Sequence, residues 1–328
     1  MVDTMGAMAW RTLGFFWASL LTLLIAGSAA LHLFGPHAPL AQHLPPPQHP
    51  MPAHVDTPAP AIIAPTPPPK PARYIPRPPD AAIPAPDAAL LEPGTNLPRI
   101  SADGRLPRQA YAAGVAPTDR RKRIAILLGD IGLSTRDSRA AIDRLPAAVS
   151  FALAAYAPDR QDLLARLRTA GHELLLALPL EPNGFGVVDA GPAALLSSTT
   201  WPDNETRLNR TLSRAAGYVG LVGATGTLRG ERFATSGQMP DLQLAVARRG
   251  LLYVDPRPSG SVIVLDDRAS GGEIEAQLLT LANIAEQRGA ALGFATAPTP
   301  VMLDRIGSWV GKLAARDIVL VPVTALLF

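Results

Sequence analysis

The chain of 328 residues contains no cysteine, and only one of its six histidines, His172, lies beyond residue 54. Without cysteine there can be no disulfide, no thiolate metal site and no cysteine nucleophile. A hydrolytic zinc site usually takes three protein ligands that include His or Cys, and a Ser–His–acid triad needs an imidazole. Composition alone therefore disfavours both kinds of site beyond residue 54.

A strong charge of either sign is also missing. The formal net charge is only +3, from 30 basic and 27 acidic residues, and the basic residues form no long stripe. Nucleic-acid binding depends on such a stripe, so we expect no nucleic-acid partner. Neither a GxGxxG segment nor a P-loop lysine motif is present, and nucleotide binding has no support.

An uninterrupted apolar run is the first feature that is present. Residues 13–34 carry no Asp, Glu, Lys or Arg, and about 20 apolar residues suffice to cross a bilayer as a helix. After a short segment 1–12, the run predicts a transmembrane signal anchor. A cleaved signal peptide is the alternative, because Ser28, Ala29 and Ala30 offer a small-residue cleavage site. Arg11 before the run, with no basic residue after it until Lys70, predicts a cytoplasmic N-terminus.

A proline-rich stretch follows the apolar run. Residues 35–119 hold 23 of the 35 prolines, and proline interrupts both helices and sheets. We predict a disordered linker over 35–120, which could reach about 250 Å if extended and about 50 Å as a flexible coil. Its scattered histidines are irregularly spaced, which argues against a metal-binding tract: they are His37, His43, His49 and His54.

Residues 121–328 are predicted to form the folded domain. Short apolar runs alternate with helical patterns, and this order is typical of a parallel α/β sheet, either open or closed into a barrel. Ser134 and Asp159 are predicted to cap helices. The basic residues 120–123 are interpreted as a solvated approach to the first strand rather than as a lipid or glycan contact. The predicted strands are 124–128, 149–153, 173–178, 219–222, 251–254, 262–265, 291–294 and 318–323.

Polar residues at the carboxyl ends of these strands are the candidates for function, since α/β folds place their chemistry there. Asp130 follows the first strand between two glycines, and it could bind a ligand or cap a turn. Glu181 lies between two prolines and is a candidate ligand or acid. Asp255 and Arg257 could hold sugar hydroxyls, or they could form an ordinary ion pair. Pairs of these carboxylates, as in glycosidases, remain open because the sequence gives no separations.

Three other polar residues are better explained by structural roles. Asp266 and Asp267 end a strand and could share a cation, but such pairs more often cap loops. His172 begins a strand, at the end of the sheet opposite the usual active site. We therefore expect it to stabilise packing or a turn.

Several motifs, in order and spacing, resemble the divergent polysaccharide deacetylase family. Residues 126–134 (ILLGDIGLS) are similar to the family strand that ends in Asp-Asp-Leu-Gly. Residues 171–182 (GHELLLALPLEP) match its third strand, and Gly191-Pro192 matches the loop that follows. Residues 254–257 (VDPR) are similar to its Asp-Ser-Arg segment. Further likeness lies in Leu145-Pro146, residues 149–152 (VSFA) and Tyr156-Ala157-Pro158.

The resemblance implies a distorted or incomplete (β/α) barrel. It also implies metal-assisted hydrolysis of N-acetyl or O-acetyl groups on glycans, with a divalent metal such as zinc. In that scheme one aspartate is the base, and Asp and His residues hold the metal. Asp130 corresponds to the metal-binding aspartate, as a vestigial ligand. Glycine or alanine replaces the base and three histidines, at Gly129, Ala177, Ala224 and Ala295.

Together with the apolar run at 13–34, these departures predict a catalytically degenerate, membrane-anchored envelope protein that binds a glycan or a partner protein. Asp130, Glu181, Asp255 and Arg257 are expected to line its cleft, and no cofactor is expected. Two alternatives stay open: an active metal-dependent carbohydrate deacetylase with an altered site, and a structural spacer of an envelope complex. The predicted location is the cytoplasmic membrane, with the folded domain in the periplasm or outside.

Overall fold

The structure is a computed structural model that describes residues 77–116, 119–158, 161–184, 186, 188–223 and 230–327. The predicted anchor at 13–34 and the predicted linker up to residue 76 lie outside these ranges. Within them, no helix combines the length and apolar character needed to cross a membrane.

A parallel sheet forms the centre of the domain and confirms the predicted alternation of strands and helices. The first strand is longer than predicted, because it continues through Asp130 to Ile131. The strands are β1 Lys122–Ile131, β2 Ser150–Leu153, β3 Leu174–Leu178, β4 Gly220–Gly223, β5 Leu252–Val254, β6 Val262–Leu265, β7 Ala290–Ala295 and β8 Ile318–Leu320.

The strand order is β5-β4-β3-β2-β1-β7-β6, with β8 also paired to β1. Every pairing is parallel: Leu176 of β3 lies beside Leu221 of β4, and Ile126 of β1 beside Gly293 of β7. The two ends of this order, β5 and β6, do not pair with each other within the described residues. The sheet is therefore a parallel half-barrel, which agrees with the expected incomplete barrel.

The helices connect the strands and begin at recognisable caps. Ser134 accepts a hydrogen bond from the Asp137 backbone at 3.2 Å, as predicted, while Asp159 lies outside the described residues. Ser270 and Glu273 form a reciprocal capping box. The helices are α1 Pro107–Ala110, α2 Thr135–Arg144, α3 Gln161–Thr169, α4 Trp201–Leu212, α5 Glu231–Ala234, α6 Met239–Arg248, α7 Gly271–Arg288, α8 Pro300–Val310 and α9 Val323–Leu327.

Alternate residues of the strands belong to two different cores. On β1, Ile124 and Ile126 join the cluster that packs against the helices, whereas Ala125 and Leu127 join a second cluster on the inner face of the half-barrel. This alternation follows from the two-residue repeat of a strand. The inner cluster also contains Ala152, Leu175, Ala177, Val222, Leu252, Val254, Leu292 and Phe294.

The prediction of a disordered linker is wrong for residues 77–116. Ile83, Leu90 and Tyr111 from this segment are buried in the inner cluster. The Arg77 guanidinium donates to the carbonyl oxygens of Ala110 and Ala112, at 2.7 and 2.8 Å. The open inner face of the half-barrel needs a cover, and these few apolar side chains provide it despite the surrounding prolines.

A buried carboxylate joins this segment to the barrel at the amino ends of the strands. Glu173 accepts hydrogen bonds from Ser150 Oγ and Thr324 Oγ1, both at 2.7 Å, and from the backbone of Thr324 and Ala113. Burial raises the pKa of Glu173 above its ordinary value, although the four donors oppose this. Through Glu173, these contacts hold α9 and the end of the 77–116 segment against the amino ends of the strands.

Candidate functional site

Asp130 occupies an irregular part of β1. The pairing of β1 with β2 shifts register between Leu128 and Ile131, and Asp130 has a positive φ of 53°. This left-handed conformation is uncommon for a residue with a side chain, although Asp and Asn tolerate it better than most. The half-buried Asp130 is therefore set at the carboxyl end of the strand by a bulge rather than by a regular pleat.

Glu181 is placed by the backbone pairing that follows β3. Its N–H donates to the Leu195 carbonyl oxygen at 2.9 Å, and its own carbonyl accepts from the Phe233 N–H at 3.1 Å. The carboxylate is only 4% exposed; it accepts from the Ser197 backbone at 2.5 Å and pairs with Arg232 at 2.8 Å. Glu181 is thus a buried anchor, and it does not face a ligand directly.

Arg232 is the exposed partner of this pair, and sequence reasoning did not select it. Its side chain is 60% exposed while its Nε binds the buried Glu181. An arginine held at one nitrogen keeps further N–H donors for a ligand. Its only sequence signal is a position near the start of the short helix α5, which lay outside the predicted elements.

Asp255 and Arg257 form a closed pair in the loop after β5. Arg257 donates through its backbone N, its Nε and its Nη2 to the Asp255 carboxylate, with Nη2 to Oδ2 at 2.6 Å. Burial acts to raise the pKa of Asp255, but the hydrogen bonds and charge of Arg257 outweigh it and hold that pKa below its usual value. Both side chains remain partly exposed, at 38% and 33%.

The paired aspartates after β6 stabilise backbone structure, Asp266 in its own loop and Asp267 against the residue after β7. Asp266 accepts from the Arg268 backbone at 2.9 Å. The Asp267 N–H donates to Thr296 Oγ1 at 2.8 Å, and this hydroxyl donates to the Asp267 carboxylate at 2.6 Å. This arrangement agrees with the structural interpretation of both residues.

His172 lies at the opposite end of the sheet, before β3. Its ring nitrogens are 2.9 Å from the Val149 carbonyl oxygen and 3.3 Å from that of Ile142, and the ring stacks on Phe151. Burial lowers the pKa of His172 below its usual value, against the effect of the two carbonyls. Its position and contacts support the expected packing role.

The four positions at which the resemblance implies a missing base or histidine lie in different surroundings. Ala177 is buried in the inner apolar cluster, beside Val222 of β4. Gly129 is part of β1 next to the bulge, and Ala295 belongs to the cluster on the helix side of the sheet. Ala224 lies outside the described residues. The inner face that would surround a metal at Ala177 is thus lined by hydrocarbon.

A metal site of the type that the superfamily uses does not fit these residues. No group of three His, Cys, Asp or Glu side chains converges on a common point anywhere in the described ranges. Asp130 therefore has no set of described partners with which to complete the three or four ligands of a zinc site. We therefore derive no step through a metal.

The candidate carboxylates share one edge of the sheet without forming a cluster. One strand separates β1 from β3, and another separates β3 from β5. With a strand spacing near 4.8 Å, Asp130 is about 10 Å from Glu181 along this edge, and Glu181 is about 10 Å from Asp255. Glu181 and Asp255 are also both occupied by arginines. This arrangement does not suit a glycosidase acid–base pair.

Tyr156 organises the loop between β3 and α4. Its hydroxyl donates to the Ala190 carbonyl oxygen at 2.8 Å and accepts from the Ala193 N–H at 3.2 Å, while its side chain remains partly exposed. Gly191 passes so close that a Cβ there would lie 2.3 Å from this hydroxyl. The Gly191-Pro192 motif is explained by this close approach.

These features define the domain as a parallel half-barrel α/β protein with a polar edge and an apolar interior. The sequence profile of the divergent polysaccharide deacetylase family matches residues 126–264 and 258–327, which together make up more than half of the chain. The chain therefore belongs to the divergent polysaccharide deacetylase family. No curated protein sequence matches it.

Solved structures with similar folds include three bacterial proteins. The uncharacterized protein ATU2773 from Agrobacterium tumefaciens C58 is 29% identical with a TM-score of 0.64, over 71% of this chain and 99% of that one. The catalytic domain of peptidoglycan N-acetylglucosamine deacetylase from Eubacterium rectale ATCC 33656 is 13% identical, with a TM-score of 0.43, over 65% and 92%. The Bdellovibrio bacteriovorus peptidoglycan deacetylase Bd3279 is 16% identical, with a TM-score of 0.41, over 74% and 63%.

Proposed function

We propose that this protein is a catalytically degenerate member of its family that binds an envelope glycan at the carboxyl ends of its strands. The observation that carries the proposal is the apolar surrounding of Ala177, at the place where the resemblance implies a metal-ligand histidine. A divalent cation there would lose its water without gaining ligands, and desolvating an ion in this way is very costly. Retention of the fold without this chemistry points to binding.

The side chains at the strand ends are suited to hydroxyl groups. Arg232 and the Asp255–Arg257 pair offer N–H donors and carboxylate acceptors, both partly exposed. Sugar hydroxyls donate and accept hydrogen bonds at once, so they can use both kinds of group. The exposed ring of Tyr156 adds an apolar surface on the same edge.

Retention of the full-length chain on purified peptidoglycan tests the proposal. The variant Asp255→Asn/Arg257→Gln removes both charges of the strand-end pair and leaves the net charge unchanged. Loss of two charge-assisted contacts to a ligand is expected to weaken retention about tenfold.

The matched control is Asp143→Asn/Arg166→Gln. This ion pair joins α2 to α3, is about half exposed, and lies away from the strand-end edge. It should bind like the parent chain. A parent chain that is not retained would support the spacer alternative, and equal weakening by both variants would contradict a strand-end site.

We also propose, from the apolar run at 13–34, that the domain lies outside the cytoplasm. Cell fractionation tests this directly. The chain should sediment with the cytoplasmic membrane, and added protease should digest the domain from the periplasmic side. Recovery of full-length chain from the soluble fraction would contradict it.

A further inference from the structure

A groove on the flank of the domain lies away from the strand ends. It has a volume of about 520 Å³ and runs between α4 and α6. Its end is closed by the turn near Pro98, where Leu91 and Pro98 form an antiparallel bridge. Pockets for small ligands measure roughly 300–1,000 Å³. The volume of the groove lies within that range.

The two helices present matching faces to this groove. On α4, Trp201, Glu205 and Leu208 recur at helical spacing, and on α6 Asp241 and Leu244 do the same. Trp201 and Leu208 pack on the core, while Leu244 is 49% exposed. The groove thus has an apolar wall, and polar side chains line its rim.

The rim carries balanced charge. Three carboxylates and three guanidinium groups line the groove: Glu92, Glu205, Asp241, Arg99, Arg248 and Arg249. A phosphate or an acidic peptide would meet as much repulsion as attraction here. A neutral ligand rich in hydroxyls would find both donors and acceptors.

Some charged side chains of this rim are paired within the protein, and others are not. Arg249 is held by Glu92 at 2.6 Å and by Asn209 at 3.0 Å, which makes one wall rigid. In contrast, the side chains of Glu205, Asp241 and Arg248 form no hydrogen bond or ion pair with any residue that the structure describes. Charged groups that face one another across a groove without pairing leave their hydrogen-bonding capacity to a ligand.

From these observations we propose that the groove binds a neutral pyranose sugar, with the C–H face of the ring against Trp201 and its hydroxyls on Glu205, Asp241 and Arg248. An aromatic ring gives such a ligand a large apolar contact with a defined orientation. The site is separate from the strand-end edge and does not depend on the function proposed there.

Saturation-transfer NMR and calorimetry of the full-length chain test this site, in a buffer free of sugar-headed detergents. The probe is a β-1,4-linked N-acetylglucosamine trisaccharide. The variant Glu205→Ala/Asp241→Ala removes two exposed rim carboxylates from helical positions that accept alanine. Loss of two hydrogen bonds to charged groups is expected to weaken binding at least tenfold.

Three control measurements separate this site from others. Arg210→Ala, on the exposed side of α4 outside the groove, should bind as the parent does. Asp255→Asn/Arg257→Gln should also keep this binding, even where its retention on peptidoglycan is weakened. Trp201→Phe, which keeps an aromatic ring on the core, should weaken binding less than the double variant.

Two results would overturn the proposal. The first is no saturation transfer to the trisaccharide, or transfer that the double variant leaves unchanged. The second is displacement of the trisaccharide by inorganic phosphate at similar concentration, because the balanced rim should not select an anion.

Discussion

At the scale of single residues, burial decides which candidate side chains can act. Glu181 was selected as a ligand from its position after a strand, but its carboxylate is enclosed and serves to hold Arg232. Sequence position gives the end of the sheet at which a residue lies. It does not give the depth of the side chain, because depth depends on the loops that fold over it.

Asp130 allows a test of backbone strain. Its positive φ of 53° favours glycine over alanine, reversing their usual order of stability. In urea unfolding, Asp130→Gly is expected to be more stable than Asp130→Ala by about 1 kcal/mol. Both variants lose the same carboxylate, so their difference reports the backbone alone. A more stable alanine variant would show that Asp130 does not hold this conformation.

His172 allows a test of pH dependence. Its pKa is lowered by burial, so below its ordinary value of 6.5 the unfolded chain takes up a proton that the folded chain does not. The contribution of His172 to stability should be complete above pH 6.5 and should decrease as the pH falls from there towards its folded pKa.

The measurement is the difference in unfolding free energy between the parent and His172→Phe from pH 5 to 8. Subtracting the variant removes the contributions of other titrating groups. The difference should grow with rising pH and level off above about pH 6.5. A difference that shrinks with rising pH would mean that the two carbonyls hold a charged imidazole.

At the scale of elements, the order of strands and helices was predictable, and the packing of residues 77–116 on the half-barrel was not. The strands from β1 to β8 follow apolar runs that the sequence displays directly, and Ser134 caps its helix as expected. Residues 77–116 carry a few apolar side chains at irregular intervals between prolines. No helical or strand period marks them, so only the open inner face of the half-barrel explains their burial.

Leu90 tests whether this segment is part of the domain. Leu90 is 1% exposed, and Leu90→Ala should lower the free energy of unfolding by about 2–5 kcal/mol. The matched control is Ile100→Ala in the same segment. Ile100 is 40% exposed, and its variant should change stability by only about 0.5 kcal/mol. Equal, small effects at both positions would mean that the segment is a linker after all.

At the scale of the whole molecule, membership of a deacetylase family and loss of deacetylase chemistry are compatible. The fold is set by apolar strands and capped helices, whereas hydrolysis depends on a few polar ligands. The resemblance implies Gly129 in place of the base and Ala177 in place of a ligand, and both small residues suit a crowded interior. The resemblance implied the replacements, but the sequence could not show the apolar surroundings of Ala177.

Zinc binding and deacetylation by the same preparation test the central claim most directly. The full-length chain would be loaded with one equivalent of zinc, dialysed and incubated with the N-acetylglucosamine trisaccharide, and Asp130→Asn would be treated in parallel. We predict that both chains retain equal zinc and release no acetate. Stoichiometric zinc that is lost in Asp130→Asn, together with acetate release by the parent chain, would contradict the account.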